Sequence, residues 1–166
     1  MGIGDIIYAA DGIVCCPAVG SCIALVIRNE ITGRVGMAHV FLPSAPAGKV
    51  EAGHRGKYAD YAIDQLVEGL RTDGSGASST LTAFAAGGAS MFPVRQVQDR
   101  MDIGTMNAQA VRDCLEKYQV PIRFWDVGGV SARTVRFDVA AGKMIVTIKA
   151  KNVSKGDAAR KGWESI

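Results

Sequence analysis

GSCIALVIRNEITGRVGMAHVFLP, residues 20–43, holds two apolar runs separated by a polar turn. Residues 22–28 (CIALVIR) are unbroken and rich in β-branched side chains, the pattern of a strand buried on both faces. NEITG, residues 29–33, reads as a turn. Residues 34–42 (RVGMAHVFL) read as the returning strand, closed by Pro43. The two runs are expected to pair as a hairpin. The start of one strand then faces the end of the other, which brings Cys22 toward His39.

Working outward, residues 3–8 and 12–16 read as short strands bounded by Gly and Pro. Residues 44–56 form a long loop of small and polar residues, a length often tied to function. A helix is expected at 57–71, with Tyr58, Tyr61, Ala62, Leu66 and Leu70 on its apolar side. Residues 73–78 (DGSGAS) are a turn or linker, and 80–86 a strand running into Gly87-Gly88. A second helix is expected at 105–119, where Met106, Ala110, Cys114 and Tyr118 recur every four residues beside Val111 and Leu115. Pro121 stops it. Strands follow at 121–127 and 133–139 around Gly128-Gly129, then at 143–149. Many strands with two interspersed helices indicate a mixed α+β domain. We expect one domain over residues 1–150 and a loose polar tail over 151–166.

Composition narrows the function. Of 166 residues, 48% are hydrophobic and 21% charged, as in a globular chain with a real core. The formal net charge is +3 with no dense basic block, which argues against nucleic acid. The opening MGIGDII lacks a basic leader, and the apolar stretch 15–27 is too short and too broken to span a bilayer. The expectation is a soluble, cytoplasmic protein. The four cysteines (Cys15, Cys16, Cys22 and Cys114) are then expected as free thiols.

Two residues stand out for chemistry. Cys22 follows Gly20-Ser21 and opens the buried strand, so its thiol can sit at an edge while the strand is rigid. Backbone N–H groups of the Gly20-Ser21 turn can face a developing oxyanion. Against this stands the plain reading of a buried strand cysteine. His39 is the candidate base, because an imidazole beside a thiol can take its proton. The competing reading is a hydrogen-bonded strand histidine. His54 reads as a solvent-facing loop residue, or as the rim of a cleft. No CxxC or HExxH spacing is present, so a metal site is not expected. Gly87-Gly88 and Gly128-Gly129 read as tight turns. Asp11, Asp60 and Asp126 are candidates to orient a histidine, with nothing to choose among them.

Several stretches together resemble the CheD family of chemotaxis proteins: GSCIALVIR (20–28), GMAHVFLP (36–43), KYADYAIDQLVEGL (57–70), AGGASMF (86–92), DIGTMNAQAV (102–111) and DVGGVSARTVRF (126–137). The resemblance implies hydrolysis of receptor glutamine side chains to glutamate, with Cys22 as nucleophile, His39 as base and no cofactor. It implies an α+β fold built around a β-sandwich with two flanking helices, like that of bacterial toxin deamidases. It also implies chemoreceptor cytoplasmic helices and a CheC-type phosphatase as partners. The family pattern places a threonine six residues before the cysteine as a third catalytic member. Here that position is Cys16, followed by Pro17. Three alternatives remain: an adaptor with little turnover, a receptor glutamate methyl-esterase, and a zinc protein.

Overall fold

The computed structural model describes residues 1–46, 55–71, 80–91 and 102–148. The sequence segments at 73–78 and 151–166, the greater part of the 44–56 loop, and His54 lie outside the described residues.

Among the described residues, eight strands and two α-helices follow in order: β1 Ile6–Ala9, β2 Ile13–Val19, β3 Ile23–Asn29, β4 Val35–Val40, α1 Ala59–Leu70, β5 Leu81–Gly87, α2 Ile103–Lys117, β6 Ile122–Val127, β7 Arg133–Asp138 and β8 Lys143–Ile148. The α+β expectation holds. A five-stranded sheet runs β1-β4-β3-β5-β6, and a three-stranded sheet runs β2-β7-β8. The expected hairpin is β3–β4, antiparallel, with Ile23 opposite Val40 and Ala24 opposite His39.

Strand β3 is central because both of its faces are apolar. Ile23, Leu25 and Ile27 pack with Ala38, Val40 and both helices. Ala24 and Val26 pack on the other face with Met37, Phe84, Val135 and Phe137, which joins the two sheets. Successive side chains point to opposite faces, so one strand serves two cores. The molecule is therefore layered: helices, large sheet, small sheet. The Phe84 and Phe137 rings meet edge-on across the sheet interface at 4.9 Å.

The apolar side of α1 falls as expected at Tyr58, Ala62, Leu66 and Leu70, with Tyr61 the exception, whereas α2 differs from expectation in phase. The buried stripe of α1 is Ala59, Ala62, Ile63, Leu66, Val67 and Leu70, whereas Tyr61 is exposed. In α2 the buried residues are Gly104, Asn107, Val111 and Leu115, while Met106 is exposed. Ala110, Cys114 and Tyr118 flank that stripe. The first turn also begins before the expected Thr105, because the Asp102 carboxylate accepts from the Thr105 amide at 3.2 Å and caps the helix. Strand β2 runs past Pro17 to Val19 through an irregular register between Cys16 and Val19. A bulge is one of the few places a strand accepts proline.

Candidate active site

The site is built at the open end of the β3–β4 hairpin. Cys22 stands one residue before β3 on the side of Ala24 and Val26, facing the small sheet. His39 alternates with Ala38 and Val40, which face the helices, so its ring also lies on the small-sheet side. Because Ala24 is opposite His39, Cys22 and His39 are diagonal neighbours on one face. Such neighbours stand about 7–8 Å apart, and the His39 ring nitrogens make no hydrogen bond to the Cys22 sulfur. Cys16 comes from the other sheet, fully buried in the same apolar cluster as Cys22. The structure thus places Cys22, His39 and Cys16 in the layer between the two sheets. Cys15 is half-buried, and Cys114 sits on α2 beyond the large sheet; all four cysteines are free thiols.

The backbone before β3 is tied down carbonyl by carbonyl. The Gly20 oxygen accepts from the Ala89 amide at 2.9 Å and the Cys22 oxygen from the Gly88 amide at 2.7 Å. The Ser21 oxygen accepts from Asn107 Nδ2 at 3.0 Å. Gly87-Gly88 is therefore more than a turn: it is the surface on which the Cys22 peptide rests. Any side chain at Gly87 would strike the Cys22 carbonyl. Gly104 allows α2 to close over the same point, since a Cβ there would stand 2.6 Å from the Gly88 oxygen.

This platform is braced from β6 and β7. Gly128-Gly129 is a turn with positive φ at both residues. The Gly128 amide donates to the Gly87 oxygen at 2.8 Å, and Ser90 donates to Gly129 at 2.8 Å. The buried Arg133 guanidinium grips the turn through the Asp126 carbonyl at 2.6 Å, the Asp126 carboxylate at 3.0 Å and the Gly128 carbonyl. Asp126 is thereby engaged with Arg133, and Asp60 lies on α1; Asp11 lies in the exposed β1–β2 turn.

His39 is held by its main chain, donating to the Asp5 carbonyl at 3.1 Å and accepting from the Gly4 amide at 3.0 Å. Among the described residues, neither ring nitrogen has a hydrogen-bond partner. Burial lowers its pKa below the ordinary histidine value; the nearby Gly2 carbonyl, outside bonding geometry, and the Asp5 carboxylate oppose this. Burial also raises the Cys22 thiol, with its own backbone amide pulling the other way. Cys16 is pushed up to about 12, chiefly by burial, and is a neutral thiol at neutral pH. Nothing in its surroundings makes it a nucleophile.

Two residues at the candidate site carry little sequence signal. Asp5 falls within the strand expected at 3–8, yet it precedes β1 and its carbonyl accepts from the His39 amide. Asn107 interrupts an apolar helical stripe, and its spacing from Val111 and Leu115 was the available signal. Among the described residues, no three His, Cys, Asp or Glu side chains gather to hold a metal ion, and no helix is long and apolar enough to cross a membrane.

Residues 41–148 match the family model described as CheD chemotactic sensory transduction. The chain is 40% identical over 120 residues to the chemoreceptor glutamine deamidase CheD of Halalkalibacterium halodurans, covering 72% of this chain and 74% of that one. It is 37% identical over 149 residues to the protein of the same name from Thermotoga maritima, covering 88% of each. It is 32% identical to a probable CheD of Symbiobacterium thermophilum, covering 89% of this chain and 90% of the relative. The family model begins at Phe41, just past Cys22 and His39, whereas the two longer matches span so much of the chain that they take in both positions. This chain belongs to the CheD family.

Proposed function

We propose that this protein hydrolyses the side-chain amide of glutamines on chemoreceptors, producing glutamate and ammonia. The observation that carries the reading is the diagonal placement of Cys22 and His39 on one face of the β3–β4 hairpin, in a chain whose relatives are named for this activity.

His39 takes the Cys22 proton as sulfur attacks the glutamine Cδ. The carbonyl π pair moves to oxygen, giving a tetrahedral oxyanion, and N–H groups of the Gly20–Cys22 turn stabilise it. The C–N bond then breaks, its electrons leave with nitrogen, and protonated His39 supplies the proton that completes ammonia. The resulting thioester is attacked by water, whose proton passes to His39. Collapse releases glutamate and returns the proton to Cys22. No metal or organic cofactor enters any step. Conversion to glutamate adds a negative charge on an exposed receptor helix, where like charges on neighbouring faces repel. The same reading takes residues 1–150 as one catalytic domain acting in the cytoplasm, with the fold of toxin deamidases and a CheC-type phosphatase as its second partner.

Ammonia release from a purified receptor cytoplasmic fragment tests this. The wild type is expected to turn over and Cys22→Ala to be inert. His39→Ala should lose about 10²–10⁴-fold, the usual share of a general base. Cys114→Ala should match the wild type, because Cys114 lies across the sheet. Turnover by Cys22→Ala at the wild-type rate rejects the mechanism. A second reading, a docking adaptor with little turnover, is favoured by the unpartnered ring of His39 and by a thiol, Cys16, where the family pattern has a hydroxyl. The same assay separates the two, since an adaptor binds the fragment without releasing ammonia.

A further inference from the structure

Asn107 is fully buried on the inner stripe of α2, where Val111 and Leu115 continue the pattern as apolar residues. A buried amide costs stability unless it is paired. Its Nδ2 donates to two carbonyls distant in sequence, Ser21 at 3.0 Å and Phe41 at 2.9 Å. Both lie just past the point where the β3–β4 ladder ends, at Ile23 and Val40. One carbonyl immediately precedes Cys22; the other follows His39 by two residues. A single nitrogen thus joins the two strand ends after the backbone ladder stops.

We propose that Asn107 is a positioning residue of the deamidation centre: its carboxamide fixes the Ser21–Cys22 peptide, and with it the Cys22 amide as oxyanion donor, while locking the strand end that carries His39. The chemistry of this role rests on the deamidase reading; the geometry does not.

A trans peptide points its C=O and N–H in opposite directions. Fastening the Ser21 oxygen toward α2 therefore aims the Cys22 N–H away from α2, toward the layer where its sulfur lies. The flanking Gly20 and Cys22 carbonyls are also held, by Ala89 and Gly88, so the peptide cannot turn without breaking these bonds. The Asn107 oxygen has no partner. A residue serving packing alone would better be an apolar isostere, because burying that oxygen gains nothing. Only the donor side of the amide is used, and both of its bonds end at the catalytic segments.

Asn107→Ala is compared with Val111→Ala, one helical turn along and equally buried. Three quantities are read: thermal stability, kcat and KM for ammonia release, and the pH midpoint of Cys22 alkylation by iodoacetamide, followed by peptide mass spectrometry. Asn107→Ala is expected to lower kcat by roughly 10²-fold, the cost of a displacement near 1 Å at a reacting centre. KM should change little, and the alkylation midpoint should move upward as the amide leaves the sulfur. Asn107→Ser, which keeps one donor, should fall between, and it carries the same readouts if the alanine variant does not fold. Val111→Ala should lose stability yet keep the wild-type kcat and midpoint. Wild-type kcat and midpoint in the Asn107 variants overturn the proposal, as does Val111→Ala reproducing their changes at equal stability loss. If the wild type releases no ammonia, the deamidase reading fails, and the alkylation midpoint alone still upholds or rejects the positioning role.

Discussion

Burial acts on the thiol and the imidazole in the direction that removes charge from each. The Cys22 thiol is raised and His39 lowered, so burial favours the neutral form of both. On the proposed mechanism proton transfer then belongs to the reaction itself, with His39 as a base below the ordinary histidine value of 6.5. The acid limb of kcat/KM for ammonia release should accordingly fall below pH 6.5. A limb at or above that value would mean that the titrating base is not the buried imidazole. Cys16 poses a different question, since its thiol makes no hydrogen bond to His39. A hydroxyl is the better donor and acceptor, and β-branching suits a strand. Cys16→Thr should keep or raise kcat, and Cys16→Ala, which loses buried packing but no bond to His39, should lower it modestly. A neutral hydrogen bond of about 0.5–1.5 kcal/mol limits the effect to roughly tenfold. Equal kcat in all three proteins on one receptor fragment would remove Cys16 from the site.

Among the elements, the tightest fit is between the end of β5 and the segment entering β3. Gly87 has φ of 134° and lies against the Cys22 carbonyl. Gly128 has φ of 97°, but a Cβ there would meet nothing within 4 Å. The pair separates backbone strain from collision. Gly128→Ala should cost about 1–3 kcal/mol, the range for an unfavourable backbone region, and keep measurable turnover. Gly87→Ala adds the collision, so its denaturant midpoint should fall further and turnover should be lost as the Cys22 peptide is displaced. Similar stability and activity in the two variants would show that the close approach has no consequence for Cys22. The helices act on the same region from the other side: α2 delivers Asn107, and Gly104 lets it come close enough to do so.

Across the whole molecule, three layers place the site where titratable groups are buried, and this sets a pH window for stability. His39 is harder to protonate in the folded state than in the unfolded one, so stability is present above pH 6.5 and lost as pH falls through the lowered folded value. Cys16 and Cys22 are harder to ionise when folded. Their contribution is present below the ordinary thiol value of 9.0 and lost as pH rises, for Cys16 toward about 12. The melting temperature should therefore be level between these limits and fall on either side. Cys16→Thr, which has no ionisable thiol, should soften the alkaline fall measured by thermal denaturation. An unchanged alkaline limb in that variant would show that Cys16 is not what titrates.

The central hairpin was readable in the sequence, and with it the approach of Cys22 toward His39, because both depend on local features. An unbroken β-branched run dictates a strand buried on both faces, and a short turn sets the register that brings Cys22 toward His39. The order of strands and helices was readable for the same reason. The phase of α2 was not, because Asn107 looks out of place on an apolar stripe until its two distant acceptors are known. Only the family resemblance pointed Cys16 toward Cys22, and nothing local in the sequence showed that Gly87-Gly88 would support the Cys22 peptide, or that Arg133 would brace that support. Periodicity decides which way a side chain faces within its own element. Which element it then meets is decided by packing between layers, through contacts that span most of the chain.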